Sequence, residues 1–312
     1  MRGVSAYWAI SLIGALAMAS PTMAAEDCSL KMFTSIDTVA AASGGMLVPV
    51  TLAGARKKLL LDTGGYYSEI SPQVADELAL YRRNIGLVQY DATGHGVHEV
   101  VTVSDFTLGN LKSRSMPFAV GASSLGSDGA LAPDILKAYD VELDFPHNKL
   151  SLISPDHCNG QVVHWPATAV AAVPMRVTPA NHIVFSAELD GHAVRAMLDT
   201  SATRTALSVK AAGDIFGLYT AATSHRFKTL SIDGIGVNNP DIALQADITR
   251  YATPTKGDTS VRLISGDARS DEPDLLIGMS TLKHLHVYIA YKEQMLYITA
   301  GEGTASGGAS GR

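Results

Sequence analysis

The sequence predicts an all-β protein made of two related lobes. Sliding the chain against itself reveals an internal repeat, in which a strand, a tight turn at a glycine and a second strand lead into an Asp-Thr pair. Apolar and polar residues alternate in both copies, which is typical of half-buried strands. Only short helical segments interrupt this pattern, so strands should dominate the fold.

The aligned copies place each Asp-Thr pair at the same point of its lobe. Residues 46–63 align without a gap with residues 183–200, and the two segments end at Asp62-Thr63 and at Asp199-Thr200. A short helix is predicted after each pair, in PQVADELALY and in VKAAGDIFGLY.

Each copy closes with a further strand pair. Residues 130–153 align with residues 276–298, apart from one residue at the start, and both segments alternate apolar and polar positions. The copies differ in their connections. The first contains an extra hairpin from Tyr90 to Val101, whereas the second contains a longer connection over residues 245–273.

The repeat defines the predicted domain organisation. Residues 1–25 have the basic start, apolar run and small-residue cleavage site of a secretory signal peptide, with an uncleaved anchor as the alternative. The N-terminal lobe is predicted over 26–158 and the C-terminal lobe over 159–300. The Gly- and Ser-rich residues 301–312 predict a disordered tail.

Composition excludes several classes of function. The chain has 24 basic and 30 acidic residues with no basic run, so nucleic acid is not an expected partner. No apolar run after the signal peptide is long enough for a membrane helix, and we expect a periplasmic or secreted protein that is soluble once processed. Two cysteines, Cys28 and Cys158, are expected to form a disulfide in that compartment; two separate thiols are the alternative.

The paired acids suggest chemistry. Two lobes related by an approximate two-fold axis bring equivalent loops together, so Asp62 and Asp199 are expected to meet although they are far apart in sequence. Two carboxylates in contact share a proton, as in the aspartic protease dyad that serves as the standard example of this effect. Such a pair activates water for attack on a carbonyl without a metal or cofactor.

These motifs resemble those of the aspartic peptidases, in both the pepsin-like single-chain form and the retroviral-like form found among exported bacterial proteins. The motif residues are Leu60, Leu61, Asp62, Thr63 and Gly64 in the first lobe, Met197, Leu198, Asp199 and Thr200 in the second, and Leu276, Ile277 and Gly278 farther on. The resemblance covers nearly the whole mature chain and implies a bilobal pepsin-like fold of two retropepsin-like repeats.

The resemblance also implies roles for individual residues. Asp62 and Asp199 would be the catalytic acids of a monomeric endopeptidase acting on peptide or protein substrates. Thr63 and Thr200, with Gly64 and Ser201 beside them, would support the acid loops. The hairpin would be the substrate flap, with its candidate residues at Tyr90, Gly94, His95 and Gly96.

Two departures from the family motif favour an alternative function. Ser201 and Ala132 replace expected glycines, and each replacement predicts either backbone strain of about 1 kcal/mol or a slight shift of the acid. Gly65 and Ala202 stand where pepsin-like members often have a hydroxyl bonded to the carboxylate. The sequence therefore predicts a less acidic dyad with a mildly acidic optimum. The alternative is a catalytically weakened relative that binds peptides or a protein partner in the same cleft.

The pair His284-x-His286 is the one other pattern with metal-ligand residues. It lacks a third ligand at useful spacing, and we interpret it as part of a solvated face.

Overall fold

The structure is a computed structural model that describes residues 28–42, 44–90, 96–121, 126–246 and 273–301. The predicted signal peptide lies outside the described residues. So does the predicted tail, except for Gly301.

Strands make up most of the described chain. In chain order they are β1 (Met32–Asp37), β2 (Val39–Ala40), β3 (Met46–Leu52), β4 (Ala55–Leu61), β5 (Glu69–Ile70), β6 (Arg83–Tyr90), β7 (Gly96–Leu108), β8 (Leu111–Val120), β9 (Gly129–Leu131), β10 (Asp140–Asp144), β11 (Lys149–Ile153), β12 (Ala171–Val177), β13 (Ile183–Leu189), β14 (His192–Leu198), β15 (Ala206–Ser208), β16 (Ser224–Arg226), β17 (Thr229–Ile232), β18 (Ile235–Asn238), β19 (Asp241–Gln245), β20 (Leu275–Ile277), β21 (Leu285–Ala290) and β22 (Met295–Ala300). The helices are α1 (Pro72–Glu77), α2 (Pro133–Leu136), α3 (Val209–Phe216) and α4 (Met279–Leu282).

The strands form two sheets, and the all-β, two-lobed class that the sequence predicts is confirmed. One sheet belongs to the first lobe and has the order β2-β3-β4-β9-β5-β8-β7-β6. The other runs β1-β11-β10-β21-β22-β12-β13-β14-β20-β15-β19-β16, with β17 and β18 branching from β13. The repeated strand pairs therefore occupy equivalent places in the two lobes.

The lobes join through the strand pairs that close each copy of the repeat. Strand β10 of the first lobe pairs antiparallel with β21 of the second, with Val141 opposite Ile289 and Leu143 opposite Val287. The predicted boundary at residue 158 falls within residues 154–170. All of these residues are described, and they form no strand or helix.

Burial along β3 and β4 explains how the first acid is positioned. Residues alternate between buried and more exposed along β3, as expected for a strand with one face in the core. The end of β4 differs, because Leu59, Leu60 and Leu61 are all buried. This stretch pairs in parallel with β9, and strands in parallel pairs are commonly covered on both faces.

Helices α1 and α3 begin at serine caps where the repeat predicts them. Ser71 Oγ accepts the Val74 N–H at 3.2 Å before α1, and Ser208 Oγ accepts the Ala211 N–H at 3.0 Å before α3. Helix α3 ends at Gly217, whose φ of 66° suits glycine. Within the described ranges, no helix has the length and apolar character needed to cross a membrane.

The structure contains the Cys28–Cys158 disulfide that the sequence predicts. It ties the start of the described chain to the connection between the lobes, across a sequence separation of 130 residues. Strand β1 follows Cys28 and pairs with β11, so hydrogen bonds hold the same segment.

Candidate active site

Asp62 and Asp199 lie at equivalent ends of two buried strands, β4 and β14. The Asp62 N–H donates to the Leu131 carbonyl at 2.9 Å, and the Asp199 N–H donates to the Ile277 carbonyl at 3.1 Å. Each aspartate is only 1% exposed. Backbone hydrogen bonds to a neighbouring strand therefore fix both acids in the interior.

The strands around each acid have the same crossing pattern. In the first lobe β9 lies between β4, which is parallel to it, and β5, which is antiparallel. In the second lobe β20 lies in the same way between β14 and β15. The two acid loops are therefore residues 62–68, between β4 and β5, and residues 199–205, between β14 and β15. Each loop connects the two strands that flank a central strand, β9 or β20.

Thr63 and Thr200 join the two acid loops by four hydrogen bonds. The Thr63 hydroxyl donates to the Leu198 carbonyl at 3.1 Å, and the Thr200 hydroxyl donates to the Leu61 carbonyl at 2.7 Å. Each hydroxyl oxygen also accepts the backbone N–H of the other threonine, at 3.1 Å in both directions. Because both threonines are buried, this reciprocal network holds the loops in one relative position.

The donors around the carboxylates are unequal. Oδ1 of Asp199 accepts the N–H of Ser201 at 2.9 Å, the N–H of Ala202 at 3.0 Å and the Ser201 hydroxyl at 2.6 Å. Oδ1 of Asp62 lies 3.2 Å from the Gly64 N–H donor and 2.8 Å from the Ser201 hydroxyl. Asp199 therefore has more and closer donors than Asp62.

The Ser201 hydroxyl corrects one expectation from the sequence. We expected the dyad to lack a hydroxyl, because Gly65 and Ala202 occupy the usual position for one. The hydroxyl is instead supplied one residue earlier in the second loop, and it lies within hydrogen-bond distance of both carboxylates. The expectation of a dyad without a hydroxyl is therefore wrong, and sequence reasoning missed this role of Ser201.

Gly64 and Ser201 occupy equivalent positions, but only Ser201 has a side chain. A Cβ atom added at Gly64 would lie 2.7 Å from Cγ of Asp199, which is too close for any side chain. Ser201 carries a side chain, and its hydroxyl points at the two acids. Only the folded structure reveals this arrangement, because the way in which the two loops face each other aims the Ser201 side chain at the partner acid, Asp62.

Hydrogen bonds between Ser68 and Asp134 hold the end of the first acid loop. Ser68 donates through its N–H at 2.9 Å and its hydroxyl at 2.6 Å to Oδ1 of Asp134. Burial raises the pKa of Asp134, although the Ser68 hydrogen bonds oppose this shift. In the second lobe Thr205 and Thr281 pair through their hydroxyls at 2.7 Å. Hydroxyls therefore support both loops.

The backbone strain expected at Ala132 is absent. Its φ of −109° is ordinary extended backbone, and its N–H donates to the Ser68 hydroxyl at 2.9 Å. The equivalent Gly278 is more constrained, because a Cβ there would lie 2.4 Å from the Arg204 carbonyl oxygen. Ser201 is likewise not among the non-glycine residues with positive φ. The predicted strain cost is therefore wrong at both positions.

His182 is a second site residue that sequence reasoning missed. It precedes β13, is 5% exposed, and its ring is hydrogen bonded to the backbone of Gly64. Burial lowers the pKa of His182 to about 4, although the charge of Asp199 and the Gly64 bond oppose the shift. No motif surrounds it in the sequence, and only the folded structure places it beside the acids.

We expect this histidine to make stability depend on pH. Below pH 6.5 an unfolded histidine takes up a proton, whereas folded His182 does so only near pH 4. The unfolded state therefore binds more protons in this window, and the free energy of unfolding should fall by about 3 kcal/mol as pH is lowered through it. Urea denaturation of His182→Gln should show a weaker loss over the same range; an equal loss would contradict the assignment.

The predicted flap is built on a longer hairpin than the sequence indicates. Strands β6 and β7 pair antiparallel, with Gln89 opposite Val97 and Tyr90 opposite Gly96 at the end of the described ladder. The β6 arm extends back to Arg83, which lies opposite Val100, and β7 continues to Leu108 in pairing with β8. Candidate residues Gly94 and His95 lie outside the described residues.

The interpretation of His284-x-His286 as a solvated face is wrong for His286. This residue is 7% exposed, bonds Oε1 of Glu142 at 2.8 Å through Nε2 and stacks on Trp165 with 3.8 Å between ring centroids. It lies on β21 in the sheet that joins the lobes, whereas His284 is exposed. Among the described residues, no cluster of His, Cys, Asp and Glu could hold a metal ion.

Comparisons with known proteins agree with this architecture. Residues 48–134 match a family model described as aspartyl protease. The crystal structure of aspartic proteinase from Irpex lacteus is 13% identical, with a TM-score of 0.51, and the match covers 87% of this chain and 98% of that one. Basic 7S globulin from soybean is 11% identical, with a TM-score of 0.50 and coverage of 87% and 95%. No curated protein sequence matches the chain.

These comparisons assign a fold to most of the chain and match part of it to a family model. The structural neighbours establish the bilobal fold of the aspartic proteinases. The family-model match contains the first acid loop with Asp62. The chain therefore has the fold of the aspartic proteinases, and its residues 48–134 match the aspartyl protease family model.

Proposed function

We propose that the protein is an aspartic endopeptidase that hydrolyses peptide bonds with Asp62 and Asp199. One observation carries this proposal: two buried carboxylates from equivalent loops lie within hydrogen-bond distance of a single hydroxyl, that of Ser201. The threonine network that joins the loops supports it, because a catalytic pair needs a fixed geometry.

The proton count at Ser201 supports a shared proton. A hydroxyl has one proton to donate, so it can donate to only one of the two carboxylates. If both contacts are hydrogen bonds, the other carboxyl is protonated and donates to the Ser201 oxygen. The contact with Asp199 is the shorter, at 2.6 Å, a distance typical of a hydroxyl donating to a charged carboxylate. We infer that the proton resides on Asp62 and the charge on Asp199.

This assignment gives each acid a role. Asp199 accepts a proton from a bound water, whose oxygen attacks the scissile carbonyl carbon, while Asp62 gives its proton to the carbonyl oxygen. The resulting gem-diol returns a proton to Asp62 as it collapses, and Asp199 gives its proton to the leaving amine as the C–N bond breaks. Both acids then recover their starting states, and no covalent intermediate forms.

We further propose that the protein acts as a monomer outside the cytoplasm. One chain contributes both acids, so a monomer is sufficient for the site. The flap of the first lobe would cover a peptide or protein substrate in the cleft between the lobes. The disulfide and the predicted signal peptide support a periplasmic or secreted location.

A second candidate function is peptide or protein binding without efficient hydrolysis. The Ser201 hydroxyl makes contacts with both Oδ1 atoms that an attacking water would otherwise make. In the endopeptidase this hydroxyl must turn aside about its single Cα–Cβ bond to admit water. In a binding protein it would keep the water out.

Replacing Ser201 tests the competition between its hydroxyl and water. Ser201→Gly restores the residue type found at the equivalent Gly64 and should raise kcat by about 10-fold, because both carboxylates become available to water. Ser201→Ala removes the hydroxyl alone and should act in the same direction. A fall in kcat for both folded variants would show that the hydroxyl assists the reaction. Activity that appears only in the variants would favour the binding function.

The proposed function is tested by incubation with an unstructured protein from about pH 4 to about pH 7, with and without pepstatin. We expect cleavage that pepstatin inhibits and whose rate falls on the alkaline side as the pair loses its shared proton. The reaction requires one acid of the pair to be protonated and the other ionised. Cleavage that pepstatin leaves untouched, or a rate still rising above about pH 7, would contradict the proposal.

A further inference from the structure

The turn over residues 178–182 has a counterpart in the first lobe, and the two turns differ in their side chains. The Thr178 N–H donates to the His182 carbonyl at 2.9 Å, and the Asn181 N–H donates to the Thr178 carbonyl at 2.9 Å. Ala41, Gly44 and Gly45 repeat this pattern: the Ala41 N–H donates to the Gly45 carbonyl at 2.8 Å, and the Gly44 N–H donates to the Ala41 carbonyl at 2.9 Å. Each turn leads into the strand that begins its lobe's repeat, β13 or β3.

The first-lobe turn carries no side chain where the second-lobe turn carries two. Gly44 and Gly45 are the counterparts of Asn181 and His182. Positive φ is shared, at 88° for Gly44 and 63° for Asn181. A Cβ at Gly45 would lie only 2.8 Å from a Leu60 side-chain carbon. The two-fold symmetry of the active site is therefore broken at this point.

Asn181 links the second lobe to the first acid loop. Its side-chain Nδ2 donates to the Tyr66 carbonyl at 2.7 Å. Its Oδ1 accepts from Nζ of Lys137, which follows α2 of the first lobe, at 2.9 Å. A single side chain thus bonds two segments of the opposite lobe, one of which follows Asp62 by four residues.

His182 contacts the same loop at Gly64, which is closer to Asp62 than Tyr66 is. Its ring is hydrogen bonded to the backbone of Gly64, whose own N–H donates to Oδ1 of Asp62. The ring is buried and lies close enough to Asp199 for that charge to act on it. Movement of His182 therefore displaces a donor of one acid and changes the surroundings of the other.

We propose that Asn181 and His182 are positioning residues that latch the first acid loop onto the C-terminal lobe from one side. This latch rests on the proposed function and deepens it, because it makes the environments of the two acids unequal. Asn181 holds the loop at Tyr66, and His182 holds the Gly64 peptide beside Asp62. The charged groups around the latch are Asp199 at the ring and Lys137 at the amide.

Kinetics of three variants test the latch. His182→Leu fills space without a donor, and Asn181→Gly copies Gly44 without disturbing the positive φ. We expect each to lower kcat about 10- to 100-fold with little change in KM, because the substrate cleft is intact and the acid loop is displaced. His182→Gln keeps an N–H donor and should recover part of the loss. The exposed His284→Leu is the matched control and should leave kcat unchanged.

The kinetic result would overturn the proposal if folded His182→Leu and Asn181→Gly kept wild-type kcat, or if only KM changed. The pH dependence of kcat/KM gives a further readout that a purely structural role would not move. We expect its acidic limb to shift in His182→Leu and to remain in place in His284→Leu. An identical limb in both variants would also overturn the proposal.

A measurement that needs no substrate hydrolysis tests the latch independently of the proposed function. Nuclear magnetic resonance of labelled histidine follows the titration of His182, whose pKa of about 4 should fall further in Asp199→Asn because an attractive charge is removed. An unchanged midpoint would overturn the latch. If the midpoint falls but the wild-type chain cleaves no substrate, the latch contact stands and the peptidase function fails.

Discussion

Asp62→Asn and Asp199→Asn are each expected to lower kcat/KM for peptide hydrolysis by about 10⁴-fold or more. An amide cannot take a proton from water in place of Asp199, and it cannot supply the acidic proton in place of Asp62. Each substitution keeps the shape of the side chain and a carbonyl oxygen that can still accept the Ser201 hydroxyl. The loss should therefore be chemical, and the fold should persist.

The two acids should also behave as one unit. Because neither acid works alone, the double variant should be about as inactive as either single variant. Asp105→Asn is a suitable control, since Asp105 is exposed and its φ of 54° is one that asparagine tolerates. Steady-state kinetics on one peptide substrate would compare all four variants. Losses that simply multiply in the double variant would argue against a shared proton.

Removal of the Cys28–Cys158 disulfide is expected to reduce the free energy of unfolding by about 5 kcal/mol. The bond closes a loop with a sequence separation of 130 residues, and the loss of this constraint enlarges the conformational freedom of the unfolded chain. This value of about 5 kcal/mol is the entropy of loop closure alone. We expect strand β1 to remain paired with β11 when the bond is absent. Denaturant unfolding of the Cys28→Ser, Cys158→Ser double variant measures the change.

Replacing both cysteines together avoids a free thiol that could pair elsewhere. Wild type treated with a reductant and then alkylated provides an independent control with the native sequence. Both forms should retain the two-lobed strand content at low denaturant. A double variant within about 1 kcal/mol of wild type would show that the disulfide contributes little to stability.

The repeat made much of the fold predictable from sequence. Strand pairs leading to Asp62 and Asp199, the short helices capped by Ser71 and Ser208, and the strand pair that closes each lobe are all local patterns. Alternation and glycine turns encode such elements within a few residues. The duplicated Asp-Thr pair then indicated that two loops meet, which one copy alone would not have shown.

The finer parts of the site were not predictable, because they depend on contacts between distant segments. Ser201 looked like a strained replacement for glycine, yet its hydroxyl contacts an acid 139 residues away. His286 looked solvated, yet its partner Glu142 lies on the neighbouring strand β10, 144 residues away in sequence. His182 had no motif around it. In each case the packing of one lobe on the other decides the role of the side chain.

The central claim, that this chain hydrolyses peptide bonds with Asp62 and Asp199, is tested most directly by mass spectrometry of an unstructured protein incubated with the purified chain. The wild type is compared with the variant in which both acids are changed to asparagine. The account predicts new peptides from internal cleavage with the wild type only, and their suppression by pepstatin. An intact substrate with the wild type, or the same peptides with the double variant, would contradict it.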